Sequence, residues 1–131
     1  MSKLYDFIKE AGIFYLATVD GDKPKVRPLG LCLEMDDKIL FGIGDFKDVY
    51  KQMKANPNVQ IAAAKPDGHW LRYTGRAVFE DDPKYAEAAL QLNPHLGSIY
   101  NEQTGNKMMM FRLEDATAVD IAIMGEGDSL L

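Results

Sequence analysis

Apolar positions along the chain repeat first at helical spacing and then in short, strand-like runs. Leu4, Phe7, Ile8 and Ala11 share one face of a helix, with Ser2 placed to cap its start and Gly12 just beyond its end. Ile13 to Val19 is a β-rich apolar run, Asp20-Gly21-Asp22 turns the chain, and Lys25 to Glu34 continues as the second strand of a hairpin. Met35-Asp36-Asp37 is another turn, after which Lys38 to Ile43 reads as a strand and Gly44-Asp45 loosens the backbone before a helix beginning near Lys47. Val49, Tyr50 and Met53 form the apolar face of that helix. It stops at Asn56-Pro57-Asn58, because a residue preceding proline is pushed out of the helical region. Val59 to Ala64 returns as a strand.

Lys65-Pro66-Asp67-Gly68 is a strong turn signal before a long strand from His69 to Glu80, in which Trp70, Arg72 and Thr74 face one way and Leu71, Tyr73 and Gly75 the other. Asp82 as N-cap and Pro83 in the first turn open a further helix through Leu92, ended by Asn93-Pro94. Two more strand-like runs follow, Met108 to Leu113 and Thr117 to Ile123, separated by Glu114-Asp115, before a Gly-rich, acidic and loose end. About six strands and three short helices, joined mostly by hairpin-length turns, predict a mainly β, α+β fold: an antiparallel barrel with helices covering its ends.

Composition narrows the function classes. At 131 residues, with 47% hydrophobic and 27% charged residues, the chain makes one folded domain and is neither disordered nor fibrous. A net charge of -5 argues against nucleic acid, whose backbone needs a basic face. An anionic ligand would have to be held by a local pocket. No apolar run is long enough to span a bilayer and the N-terminal segment lacks an apolar signal core, so the expectation is no membrane and a cytoplasmic location. The single cysteine, Cys32, rules out an intrachain disulfide and is expected to pack as a small core residue. His69 and His95 are far apart and lack the spacing of metal ligands.

Cationic groups gather at one place. Arg27 lies on a strand, and Lys47 and Lys51 lie one turn apart at the start of the helix that follows the third strand. Guanidinium and ammonium groups beside the free amides of a helix start form an anion site suited to a phosphorylated ligand; the alternative is solvated surface charge. The glycines at 42 and 44 lack the pattern of a dinucleotide fold, no serine sits in a nucleophile elbow, and the paired acids fall at turns.

The ordered series Phe14-Tyr-Leu-Ala-Thr-Val-Asp-Gly21, Pro24-Lys-Val-Arg-Pro-Leu-Gly30, Lys38-Ile-Leu-Phe-Gly42, Lys47-Asp-Val-Tyr-Lys-Gln-Met53, Asn56-Pro-Asn-Val59, Trp70-Leu-Arg-Tyr-Thr-Gly-Arg-Ala77 and Phe111-Arg-Leu-Glu-Asp-Ala-Thr-Ala118 resembles the pyridoxamine 5'-phosphate oxidase-like family of FMN-binding split β-barrels. The resemblance covers nearly the whole chain. It implies a six-stranded antiparallel split barrel over residues 1–131 with short flanking helices, and a flavin in a cleft between the two barrels of a homodimer. It places Arg27, Pro28, Ile43, Gly44, Lys47, Lys51 and Trp70 at the FMN. Arg27 would be the family's strand arginine at the FMN, Lys47 a basic residue near the phosphate with Lys51 assisting, and Trp70 would border the ring or else serve as an interface or core aromatic.

Two positions depart from the family's pattern. Ile43 stands where members often carry threonine, and Val49 where many carry lysine or arginine. Phosphate binding then depends on Lys47, Lys51 and backbone amides. The implied activity is electron or hydride transfer through the flavin to a small substrate, with NADH or NADPH as candidate reductant. Vitamin B6 oxidation is disfavoured, since the enzymes of that activity carry an additional C-terminal region. The alternative is a non-catalytic module holding flavin, haem or another flat ligand for binding or sensing.

Overall fold

Phe14, Leu16 and Thr18 turn into the interior while Tyr15 and Ala17 turn outward, and the same alternation governs Val59, Ile61 and Ala63. In the computed structural model, which describes residues 2–123 and 127–131, these runs belong to one antiparallel sheet of eight strands. The elements are α1 (Lys3–Ala11), β1 (Phe14–Asp20), β2 (Lys23–Leu29), β3 (Cys32–Met35), β4 (Lys38–Gly44), α2 (Asp48–Ala55), β5 (Asn58–Ala64), β6 (His69–Glu80), α3 (Pro83–Leu92), a 3-10 turn (Pro94–Ser98), β7 (Met108–Ala122) and β8 (Gly127–Ser129). The strand order is β2-β1-β5-β6-β7-β4-β3, with β8 on β7, and the sheet curls without closing. No helix among the described residues is long and apolar enough to cross a membrane.

The helix boundaries follow the capping chemistry. Ser2 accepts from the Tyr5 amide at 3.1 Å and Gly12 leaves α1 at φ +83°. Asp82 accepts from the Lys84 amide at 3.0 Å, with Pro83 in the first turn of α3. Lys47 is the N-cap of α2 and supplies no side-chain cap.

Three expectations are corrected. The strand expected over Lys25 to Glu34 is two strands with a corner at Gly30-Leu31, because β2 pairs with β1 whereas β3 pairs with β4. The two runs expected at Met108 to Leu113 and Thr117 to Ile123 are one strand, β7, and Glu114-Asp115 is a bulge within it. Arg76 pairs with Glu114 and Thr74 with Thr117, so the single Gly75 faces two residues, Asp115 at φ +50° and Ala116. A Cβ on Gly75 would stand 3.0 Å from Ala116, Leu113 and the Glu114 carbonyl, so glycine lets the bulge close without displacing them. Finally, part of the expected loose end pairs as β8, while residues 124–126 lie outside the described residues. The split and β8 each add a strand and the merger removes one, so the seven runs read from the sequence, for a barrel expected with about six strands, become eight.

The core sits inside the curl, centred on Phe14, Phe41 and Phe111, whose rings meet at 5.3 and 5.5 Å. Each such aromatic contact adds about 0.5–1.5 kcal/mol beyond its area burial. Leu4, Phe7 and Ile8 of α1 and Val49 and Met53 of α2 cover the open ends of this core. Tyr85 and Ala89 of α3 make a smaller cluster with Leu33, Leu40 and Met110. Cys32 packs in the main cluster as expected, and burial pushes its thiol up to about 12.

Candidate functional site

The site is built where β2 ends, β4 ends and α2 begins. There a cleft of about 600 Å³ is lined by Arg27, Pro28 and Leu29 from β2, by Gly42 and Ile43 from β4, and by Lys47, Asp48 and Val49 from the start of α2. Asn93, Leu96 and Tyr100, from the segment after α3, form the remaining wall with Met108.

Arg27 is held rather than free. Its Nη1 donates to the Leu16 carbonyl at 3.1 Å and to Thr18 Oγ1 at 2.7 Å, and its Nη2 donates to Gln52 Oε1 at 2.7 Å. Thr18 Oγ1 itself donates to Gln52 Oε1 at 2.6 Å, so β1, β2 and α2 meet in one closed network. Three of the five guanidinium N–H groups are thereby used, and Nε–H and one Nη2–H have no partner among the described residues. No carboxylate among the described residues lies within 4.0 Å of Arg27, and burial lowers its pKa, the sign expected of a partly desolvated and uncompensated cation. The group stays charged, since guanidinium does not deprotonate in proteins.

At the other side of the cleft α2 presents its first turn. The Tyr50 amide is taken by the Lys47 carbonyl, whereas Asp48 and Val49 have no backbone acceptor within the helix. Free amides and the helix dipole favour an anion here, and Lys47 adds an exposed ammonium. Apolar wall comes from Leu29, Leu31, Ile43, Val49, Leu96 and Met108. The arrangement suits a ligand with an anionic end and a flat apolar body.

Packing around Gly44 fixes the wall opposite β2. A Cβ at this position would stand 2.7 Å from the Phe46 ring and 2.8 Å from the Tyr100 hydroxyl, so the glycine lets the 93–107 segment close onto β4. Lys107 donates its amide to Asp45 Oδ1 at 2.9 Å and Asp45 donates its amide to the Lys107 carbonyl at 3.0 Å, a two-way clasp at the same point. Burial, and then the charge of Asp45, raise the Tyr100 pKa, so this hydroxyl is a neutral donor at physiological pH.

Of the residues expected at the site, Arg27, Pro28, Ile43 and Lys47 come together in the cleft, and Gly44 lies directly behind its wall. Lys51 lines a separate groove with Gln52 and Asp20. Trp70 lines another groove with Tyr15, Ala62 and Ile123. The buried side chains of Ile43 and Val49, 3% and 5% exposed, belong to the core as well as the wall. Thr18, Gln52, Asn93, Leu96 and Tyr100 are additions that sequence reasoning did not single out. A polar residue at Thr18 inside an otherwise apolar strand was the one readable signal among them.

The outward face of the sheet is also distinctive. Pro28, Tyr15, Ala62, Arg72 and Val119 form one cross-strand row, and Ala64, Trp70 and Ile121 the next. Tyr15 and Val26 are 48% and 68% exposed, and Arg72 stacks on Trp70 at 4.9 Å from the ring centroid. This apolar face runs up to the cleft at Pro28.

Comparison with known proteins agrees with the fold. The sequence matches the family model described as pyridoxamine 5'-phosphate oxidase over residues 2–123. A search of curated proteins returned no match. Among solved structures, a NimC/NimA family protein from Clostridium acetobutylicum is 32% identical, with a TM-score of 0.87 over 98% of this chain and 89% of that one. A haem-binding protein from Mycobacterium smegmatis, 16% identical, superposes with a TM-score of 0.70 over 94% of this chain and 54% of its own. An FAD-binding protein from Mesorhizobium loti, also 16% identical, gives 0.60 over 92% and 96%. The last two likenesses speak to the fold alone. With the family model spanning nearly the whole sequence and a relative of that identity matched end to end, the chain belongs to the pyridoxamine 5'-phosphate oxidase family.

Proposed function

We propose that the chain, residues 1–131, is an FMN-dependent oxidoreductase that works as a homodimer in the cytoplasm, reducing a small substrate at the expense of NADH or NADPH. The observation that carries the reading is Arg27: a partly buried guanidinium on a residue that lines the cleft, braced by Thr18 and Gln52, with no carboxylate partner and two unpartnered N–H groups among the described residues. Such an edge matches a phosphate, and charge-assisted hydrogen bonds of this kind contribute about 1.5–3 kcal/mol each.

The residues present fit FMN. Arg27, Lys47 and the α2 amides would hold the phosphate, while Lys51, which lines the neighbouring groove, would add only its charge at a distance. Leu29, Leu31, Ile43 and Met108 would hold the ring, and Gly44 would allow the Tyr100 wall to approach it. When bound, the flavin would supply hydride and electron transfer. The chain's own part is to fix ring orientation, exclude water through the apolar wall, and place the neutral Tyr100 hydroxyl as a donor at the cleft.

Homodimerisation is supported by the exposed apolar face of β1, β2, β5 and β6. A second copy docked there would cover Tyr15 and Trp70 and border the cleft at Pro28. Trp70 acts in this reading from the interface. The family membership is consistent with a flavin ligand.

A second reading, a non-catalytic module holding flavin or haem, is favoured by Ile43 and Val49, which put apolar side chains where a hydroxyl and a charge would strengthen phosphate binding. The two are separated by adding FMN to purified protein, removing free ligand by gel filtration, and following the retained flavin absorbance with NADPH and NADH. Retained, reducible flavin supports the oxidoreductase. Retained but unreduced flavin supports the module, and no retained flavin overturns the FMN assignment.

A further inference from the structure

β4 and β7 pair from Gly44 and Met108 as far as Phe41 and Phe111, and there their pairing stops. Ile39 stays paired to β3 through Glu34, and Leu113 to β6 through Ala77, so the facing edges of the two strands leave a gap in the sheet. A crevice of about 310 Å³ lies at this gap, with Ile39 on one side and Leu113 on the other. Leu4 of α1 and Tyr73 of β6, 1% and 5% exposed, form its floor, and the exposed Asp37 and Leu131 lie at its mouth.

The Tyr73 hydroxyl makes no hydrogen bond among the described residues, although the side chain is buried. No fully enclosed side-chain oxygen or nitrogen among them lacks a partner, so this hydroxyl opens onto space that solvent reaches, and the crevice is the space that Tyr73 lines. A buried phenol left open in this way calls for a partner from outside the chain. Burial, and then the Cys32 thiol, push its pKa up to about 12 against the opposing pull of Arg112, so the group is a neutral O–H donor at physiological pH.

Charge near the mouth is already matched. Glu80 takes Lys38 at 3.0 Å and Arg112 Nε at 2.6 Å, and Glu114 takes Arg112 Nη2 at 2.7 Å. Asp37 has no cation within 4.0 Å among the described residues. An anion entering here would meet that unpaired acid, and a cation would meet Lys38 and Arg112. What the crevice offers is one buried donor beneath apolar walls, which matches a neutral acceptor oxygen on an apolar body.

We propose that this crevice binds a small neutral carbonyl compound, a ketone or an ester, whose oxygen accepts from the Tyr73 hydroxyl and whose apolar part lies against Leu4, Ile39 and Leu113. The site shares no lining residue with the Arg27 cleft and does not rest on the flavin reading.

Acetophenone is the probe for the test. Ethylbenzene has nearly its shape without the oxygen, and benzoate carries an anionic head on the same ring. Each is titrated into the full-length protein, with and without FMN, while backbone amide shifts and affinity are followed by NMR. Acetophenone should give saturable shifts at Ile39 and Leu113 that FMN leaves in place. Tyr73→Phe, which removes only the hydroxyl, should weaken acetophenone about 3–10-fold and leave ethylbenzene unweakened. The carbonyl stretch of bound acetophenone should lie at lower wavenumber in the wild type than in the variant. Should the variant fail to fold, the wild-type spectrum decides alone, and a stretch at its value in hexane overturns the proposal. So do an absence of shifts at Ile39 and Leu113, an equal loss of both neutral probes in Tyr73→Phe, or displacement of acetophenone by FMN, which would assign its binding to the cleft. Tighter binding of benzoate than of acetophenone overturns it as well, by making the crevice an anion site.

Discussion

Arg27 and Gln52, 25 residues apart in sequence, are joined by a 2.7 Å hydrogen bond from guanidinium Nη2 to the amide oxygen, and this bond ties the anion-seeking edge of β2 to the helix whose amides face the same cleft. Both halves of the anion site are therefore placed by one contact between α2 and the sheet.

That coupling is open to a double-mutant cycle. Arg27→Ala should weaken FMN binding by about 10–100-fold, the equivalent of a lost charge-assisted contact. Gln52→Ala should weaken it several-fold in the parent protein and leave it unchanged in the Arg27→Ala background. Independent, additive losses would show that Gln52 does not act through Arg27.

Closure of the 93–107 segment on Gly44 yields a second prediction. Gly44→Ala should destabilise the fold by about 1–3 kcal/mol, because the methyl meets a ring and a hydroxyl rather than a yielding chain end. Gly42→Ala should cost less, since its new methyl meets the ends of Leu31, Met108 and Met110, which have rotamers to give. Thermal melts of the two variants settle the order.

For assembly, the outward face predicts a dimer in sedimentation velocity. Ala62→Glu, set beside Tyr15 in the cross-strand row, should convert it to a monomer while the monomer's circular dichroism is kept. A variant that stays dimeric would move the interface elsewhere.

Acid stability should depend on Glu80. Hydrogen bonds from Arg112 and then Lys38 hold its carboxyl below the ordinary value of 4.5. A carboxylate whose folded pKa is depressed stabilises the fold in full above its unfolded pKa, and that contribution disappears as pH falls through the lower folded value. The wild-type melting temperature should thus drop more steeply than that of Glu80→Gln between about pH 5 and pH 3. Parallel curves would remove Glu80 from the account.

Much of the fold was legible because its signals are local. Ser2, Asp82 and the turn at Asp36-Asp37 mark boundaries within a few residues of themselves, and the inward positions of β1 and β5 repeat every second residue. The Glu114-Asp115 bulge misled because a bulge and a turn use the same residue types; only pairing with Arg76 and Thr74 distinguishes them. At the site, Arg27 and Lys47 were visible as cations near a strand and a helix start. Their supports were not, since Thr18 and Gln52 become partners only when α2 docks on β1, and Tyr100 reaches the cleft from a segment without periodicity. Trp70 was placed by analogy of position, whereas its side is set by strand register.

β7 also governs the order in which this protein can be completed. It pairs with β6 along one edge and β4 along the other, so β2-β1-β5-β6 and β4-β3 have no hydrogen-bonded seam between them until residues 108–122 are present. A nascent chain leaving the ribosome holds Phe41 and Phe79 exposed for want of Phe111, which pairs with both. Folding of the sheet must therefore wait for the late strand, and until it arrives the waiting edges of β4 and β6 are the places where the growing chain is open to misjoining or to a chaperone.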